Sequence, residues 1–227
     1  MTNYGEAFWS WEDLMLFLGA TLPAFFIAVF ITRPIHFSSD GVRQIAFQST
    51  FYALLVIVLY FLIARYRHPV WRSLGWTFSF RWASLCAIAG PLLALTLSAL
   101  ASLMHAPGET AIENLVTDRT SRVVVMLFVA IFGPLFEELA FRGFLLPLFQ
   151  KAVGAWLSIF LTAIPFALLH GSTLHWSWQS MMVIGLAGVV FGWARVKTGS
   201  TTASAMVHVG YNSTFAAFFL IQQAGAR

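Results

Sequence analysis

The sequence predicts an all-α polytopic membrane protein, a transmembrane helical bundle of about seven to eight spans. Three observations carry that expectation. First, 59% of the 227 residues are hydrophobic and only 10% are charged, whereas soluble domains carry about 25% charged residues. Second, mean hydropathy is +0.79. Third, apolar runs long enough to cross a hydrocarbon slab recur along the whole chain, separated by short polar stretches. A soluble domain of this size has no interior large enough to hide so much apolar surface. The formal charge of +4 and the pI near 9.6 do not indicate a nucleic-acid partner. The thirteen basic residues are dispersed among loops, not gathered in a patch, as suits loops beside anionic lipid. Cys86 is the only cysteine and falls in an apolar run, so it is expected to pack and to form no intrachain disulfide.

Residues 1–13 carry Glu6, Glu12 and Asp13 but no Lys or Arg, so no cleavable signal peptide is expected. The first span is expected at 14–31. The second, at 45–64, is closed by Arg65, Arg67 and Pro69. Residues 71–82 mix Trp71, Trp76, Phe78, Phe80 and Trp82 with Arg72 and Arg81. That composition suits a segment in the headgroup region; inserted, it would be the eighth span. The third span is expected at 83–104, kinked at Pro91. Residues 105–122 form a polar linker, which divides residues 1–118 from 119–227. The fourth apolar element, 123–149, is interrupted by Glu137, Glu138 and Arg142. Lys151 and Gly154 mark a tight turn before the fifth, at 156–170. The sixth, at 180–194, carries Gly185, Gly188 and Gly192, which permit close helix packing. The seventh is expected at 201–221. With the N-terminus inside, inner loops hold eight Lys and Arg and outer loops five. That bias favours a cytoplasmic N-terminus.

The polar residues within these spans are the informative ones, because an unpaired charge in hydrocarbon costs several kcal/mol and tends to mark function. Glu138 and Arg142 are four apart, on one helix face, and can form an ion pair. Glu137 points about 100° away and is then the free carboxylate. Phe166 and His170 are four apart, as are His208 and Asn212. Counting from the 150–154 turn puts Glu137 and His170 within ~5 Å of the same depth, and His208 roughly 10 Å shallower. Tilt or the short sixth span would have to close that gap. Each piece has a plainer reading. The glutamates could anchor an ion pair, His170 could be a packing residue, and His208 with Asn212 could bond helices together. His175, beside Trp176, reads as interfacial. Together, three spans bring into lipid the groups that hydrolysis uses. A carboxylate can take a proton from water and return it to a leaving amine. A histidine can hold that water, and an imidazole and a carboxamide can donate to an oxyanion. Alternatively, Glu137, His170 and His208 could be three ligands of a zinc ion with an open position for water. The residues leave both open.

The motifs Glu137-Glu138-x-x-x-Arg142, Phe166-x-x-x-His170 and His208-x-x-x-Asn212 resemble those of the CAAX prenyl protease and bacteriocin-processing family of intramembrane proteases. The stretch Gly192 to Ser200 is similar to that family's lead-in to its third motif. The likeness covers roughly residues 119–222. It implies an intramembrane endopeptidase acting on a membrane-anchored or prenylated peptide in the lipid bilayer, with residues 119–227 as the catalytic core. Glu137 would activate water, His170 would position it, and His208 and Asn212 would stabilise the oxyanion, with Glu138, Arg142 and Phe166 in support. Many members are named metalloproteases. The chain is shorter than the eukaryotic members, which points to a prokaryotic inner membrane. A non-enzymatic immunity or scaffold protein is the alternative function, and a proton-coupled transporter using both glutamates ranks behind it.

Overall fold

The computed structural model describes residues 8–107 and 112–225, and among them it is helical without strands. The helices are α1 (Trp11–Thr32), α2 (Asp40–Arg65), the single-turn α3 (Val70–Ser73), α4 (Phe80–Leu103), α5 (Arg119–Val153), α6 (Ala155–Leu169), α7 (Trp178–Thr198) and α8 (Thr201–Gly225). Six of these are long and apolar enough to cross a membrane, and the 15-residue α6 is a shorter apolar helix. Residues 71–82 do not span. They form the end of α3, an irregular stretch and the first residues of α4. Aromatic side chains separated by Gly75 and flanked by arginines cannot supply an unbroken apolar run.

The surface is that of a protein solvated by lipid. Phe30, Phe80, Leu103 and Leu169 are largely exposed, whereas Glu138, Arg142, Thr201 and Ser204 are wholly buried. Apolar residues outside and polar residues inside are what a bundle in hydrocarbon requires.

Local chemistry sets the helix ends. Ser10 and Asp13 form a reciprocal cap on α1, and Asp13 Oδ2 also accepts from the Tyr66 hydroxyl at 2.8 Å. That bond ties the start of α1 to the end of α2. Asp118 caps α5 in the same reciprocal way with Ser121. The backbone N–H groups of this cap hold the Asp118 carboxyl below the usual carboxylate range.

Helix α5 lies at the centre, against α2, α6, α7 and α8. It widens into π-helix at Phe128–Phe132 and again at Leu139–Leu145. Each widening ends just before a proline, Pro134 or Pro147. Proline has no N–H to continue the α pattern and its ring crowds the preceding turn, so the ladder is broken there. Glu137 and Glu138 sit on the α-helical turn between the two widened stretches.

Two packings fix the site's frame. Helix α4 crosses α8 where Gly90 meets Gly210. A Cβ on Gly90 would lie 2.6 Å from Val207 O and 2.7 Å from Gly210 Cα, both backbone atoms. Replacing Gly90 with leucine should force the helices apart and cost at least about 1–3 kcal/mol. Thermal unfolding in detergent reads this, and an unchanged transition would refute the close crossing. Helix α7 packs on α6 through Gly188 and Gly192, where a Cβ would press Phe166 and Ile159 at 3.2 and 3.1 Å. The expected close packing is therefore present at those two positions, while Gly185 has ordinary room.

The two halves share one core. Trp9, Phe17, Leu59 and Ile63 from the first half pack with Leu139, Phe144 and Leu148 of α5, and the Trp9 and Phe144 rings meet edge to face at 4.6 Å.

Candidate active site

Glu138 is buried and fully engaged. Its Oε1 lies 3.0 Å from Arg142 Nη1, one helical turn on, with both side chains inaccessible. The contact is an ion pair and not an aligned hydrogen bond, since Nη1 has no partner of hydrogen-bond geometry. The same oxygen is 3.1 Å from His208 Nδ1, and Ser204 Oγ, one turn before His208, donates to Oε2. Arg142 Nη2 donates to Gly188 O at 2.8 Å. The guanidinium also lies 4.8 Å from the Phe166 ring centroid and 5.5 Å from that of Phe191. Aromatic faces stabilise a desolvated cation. The expected Glu138–Arg142 pair is thus present. Arg142 is inside the bundle and carries no weight as a loop charge, which leaves a bias of seven against five basic residues.

Glu137 is the carboxylate that Arg142 does not pair directly. Its Oε2 lies 3.9 Å from His208 Nε2, beyond hydrogen-bond length, and one water can bridge groups at that separation. Its Oε1 accepts from the Tyr52 hydroxyl at 3.1 Å.

The imidazoles are oriented by their acceptors. Glu138 can only accept, so His208 carries a proton on Nδ1 and turns Nε2 towards Glu137. The ring is stacked on Phe191 at 4.3 Å. His170 caps the C-terminus of α6. Its Nδ1 is 2.8 Å from the carbonyl of Phe166, which places the Nδ1 proton there and leaves Nε2 as the acceptor. At ~1.5 Å per residue, the 15-residue α6 is about 22 Å long, short of the ~30 Å hydrocarbon thickness. His170 therefore stands at the end of a helix shorter than a full span. The Phe166 ring touches both imidazoles, with centroids at 4.8 Å to His170 and 5.7 Å to His208. Both imidazoles thus pack against the same phenyl ring.

Asn212 takes a different partner. Its Nδ2 donates to Val129 O at 2.8 Å, a carbonyl in the first widened stretch of α5. One amide hydrogen bonds α8 to α5 and the other remains.

Metal ligation by Glu137, His170 and His208 was one expectation. Among the described residues no group of three His, Cys, Asp or Glu side chains is placed to hold a metal ion.

Four contributors escaped the sequence reading. Ser204 falls four residues before His208 and eight before Asn212, so the row Ser204, His208, Asn212 on one face was a usable signal. Gln48 and Tyr52 are four apart in the second span, a polar pair at helical spacing. Phe191 had no signal beyond being aromatic.

Comparison with known proteins gives a likeness for one segment of the chain. No curated protein and no solved structure matches the chain. Residues 119–214 match the family described as type II CAAX prenyl endopeptidase Rce1-like. The matched stretch runs from the first residue of α5 into α8 and contains Glu137, Glu138, Arg142, His170, His208 and Asn212. Residues 119–214 of this membrane-type helical bundle, somewhat under half of the chain, are thus similar to the type II CAAX prenyl endopeptidase Rce1-like family.

Proposed function

We propose that the protein is an intramembrane endopeptidase that hydrolyses a peptide bond in a lipidated, membrane-anchored substrate by glutamate-activated water. The observation that carries this reading is the division of labour between adjacent glutamates. Glu138 is neutralised by Arg142, while Glu137 presents an oxygen to His208 Nε2 across 3.9 Å.

In this reading a water seated within reach of Glu137 Oε2 and a histidine Nε2 loses its proton to Glu137 as it attacks the scissile carbonyl. His170, whose Nε2 is an acceptor, orients the water. The carbonyl oxygen becomes an oxyanion, and the remaining Asn212 N–H is one donor to it. His208 becomes the second donor only when Nε2 is also protonated, because its Nδ1 proton is held by Glu138. Collapse of the intermediate returns the proton from Glu137 to the leaving amine. The low-dielectric surroundings strengthen each of these contacts. Residues 1–118 serve as scaffold and 119–227 as catalytic core. In this reading the N-terminus is cytoplasmic, which the surplus of basic loop residues on that side supports, and the membrane is a prokaryotic inner membrane.

The test uses purified protein in liposomes and two internally quenched peptides with a CAAX-type C-terminus, one farnesylated and one not. Cleavage is expected for the farnesylated peptide, with the plain peptide at least about ten-fold slower, since partitioning into the bilayer raises its local concentration. Equal rates would overturn the lipidated-substrate reading, and no cleavage of either would overturn the protease reading. Because no three-ligand set is formed among the described residues, a chelator such as 1,10-phenanthroline is expected to leave the rate unchanged. A rate abolished by chelation and restored by zinc would contradict the metal-independent step.

A further inference from the structure

We infer that the active site extends beyond the Rce1-like stretch to α2, where Tyr52, oriented by Gln48, is a positioning residue for Glu137. This rests on the reading of Glu137 as the base.

Three observations carry it. The Tyr52 hydroxyl donates to Glu137 Oε1 at 3.1 Å, across 85 residues of chain. Gln48 Nε2 donates to the same phenolic oxygen at 3.1 Å. The Tyr52 ring is held between Phe128 and Phe136 of α5, at 6.1 and 5.6 Å between centroids. A phenol has one proton to give. With Gln48 donating to its oxygen, that proton can only go to Glu137. The opposite amide orientation would send the proton to Gln48 and leave two acceptors facing each other, so the ionised Glu137 selects the arrangement.

The consequence is directional. A glutamate has three rotatable bonds, and an unanchored Glu137 would sample several orientations of its carboxylate. The Tyr52 bond occupies Oε1 and leaves Oε2 aimed at His208 Nε2, 3.9 Å away. A hydroxyl donating to an ionised carboxylate is charge-assisted, and at 3.1 Å this bond is at the long end of its range. Neither Tyr52 nor Gln48 lies in residues 119–214. The half of the chain without family motifs therefore holds the reactive carboxylate in register. Substrate binding needs none of this, so the effect belongs in kcat and not in KM.

The experiment compares the wild-type chain with Tyr52→Phe, Gln48→Leu, the double variant and Glu137→Gln in liposomes, using the farnesylated quenched peptide. Phenylalanine keeps the ring packing and deletes only the hydroxyl. Tyr52→Phe should lower kcat about ten- to hundred-fold with KM unchanged. Gln48→Leu should lower kcat less, and should add nothing in the Tyr52→Phe background, because it acts through that hydroxyl. Wild-type kcat in Tyr52→Phe would overturn the inference. So would a loss carried by KM, a matching collapse of the unfolding temperature, or additive effects in the double variant. If Glu137→Gln is inactive while Tyr52→Phe is fully active, only this inference fails. If Glu137→Gln is fully active, the base assignment fails with it.

Discussion

Glu137→Gln should abolish peptide cleavage, by about a thousand-fold or more in kcat, while the protein remains folded. The amide keeps the size and shape of the side chain and can still occupy the space beside Tyr52 and His208. It cannot take a proton from water. The buried cation Arg142 keeps its ion pair with Glu138 and its hydrogen bond to the Gly188 carbonyl, so the main polar anchors of the bundle remain without the Glu137 charge. The single hydrogen bond that changes character is the one from Tyr52. Steady-state rates with the farnesylated peptide, read beside circular dichroism and thermal unfolding, check both halves of this expectation. Retained activity would remove Glu137 from the chemistry, whatever the family likeness.

Arg142→Met should be the most damaging substitution for stability. Methionine fills the space among Phe141, Phe166 and Phe191 but leaves Glu138 as a buried carboxylate without its cation. His208 and Ser204 remain as partners, and they do not replace a full positive charge. Breaking a buried ion pair from one side costs about 3–5 kcal/mol, which corresponds to a fall in unfolding temperature on the order of 10 °C. The double variant Glu138→Gln with Arg142→Met removes the stranded charge and should recover part of the loss. A double variant less stable than Arg142→Met alone would contradict the pairing. Because Arg142 also fixes the second widened stretch of α5 against α7 through Gly188, neither variant should retain wild-type activity.

Local spacing made much of this legible in advance. Glu138 and Arg142, four residues apart, form the pair their helix face allows. The bundle and its apolar helices follow from runs that no soluble core could absorb. Gly188 and Gly192 pack α7 on α6 where the stripe of small residues indicated. Contacts that depend on how one helix lies on another were not legible. Tyr52 is an unremarkable span residue until α2 is laid against α5. His208 is expected as an oxyanion donor, and its closest carboxylate is Glu138, at 3.1 Å. Asn212 was assigned to an oxyanion, and its amide also bonds Val129 O, a carbonyl in the widened turn ahead of Pro134. The depth offset expected between His170 and His208 assumes that each helix is straight and regular. The π-helical stretches of α5 and the early end of α6 break that assumption.

Two neighbouring glutamates with opposite duties, one structural and one chemical, are the core of this description. The unfolding temperatures of Glu137→Gln and Glu138→Gln, measured side by side in the same detergent, separate the two most directly. Glu137→Gln should unfold within a few degrees of wild type, whereas Glu138→Gln, with Arg142 stranded in the bundle, should fall by on the order of 10 °C. Equal transitions, or the larger loss in Glu137→Gln, would show that the carboxylates are not divided in this way.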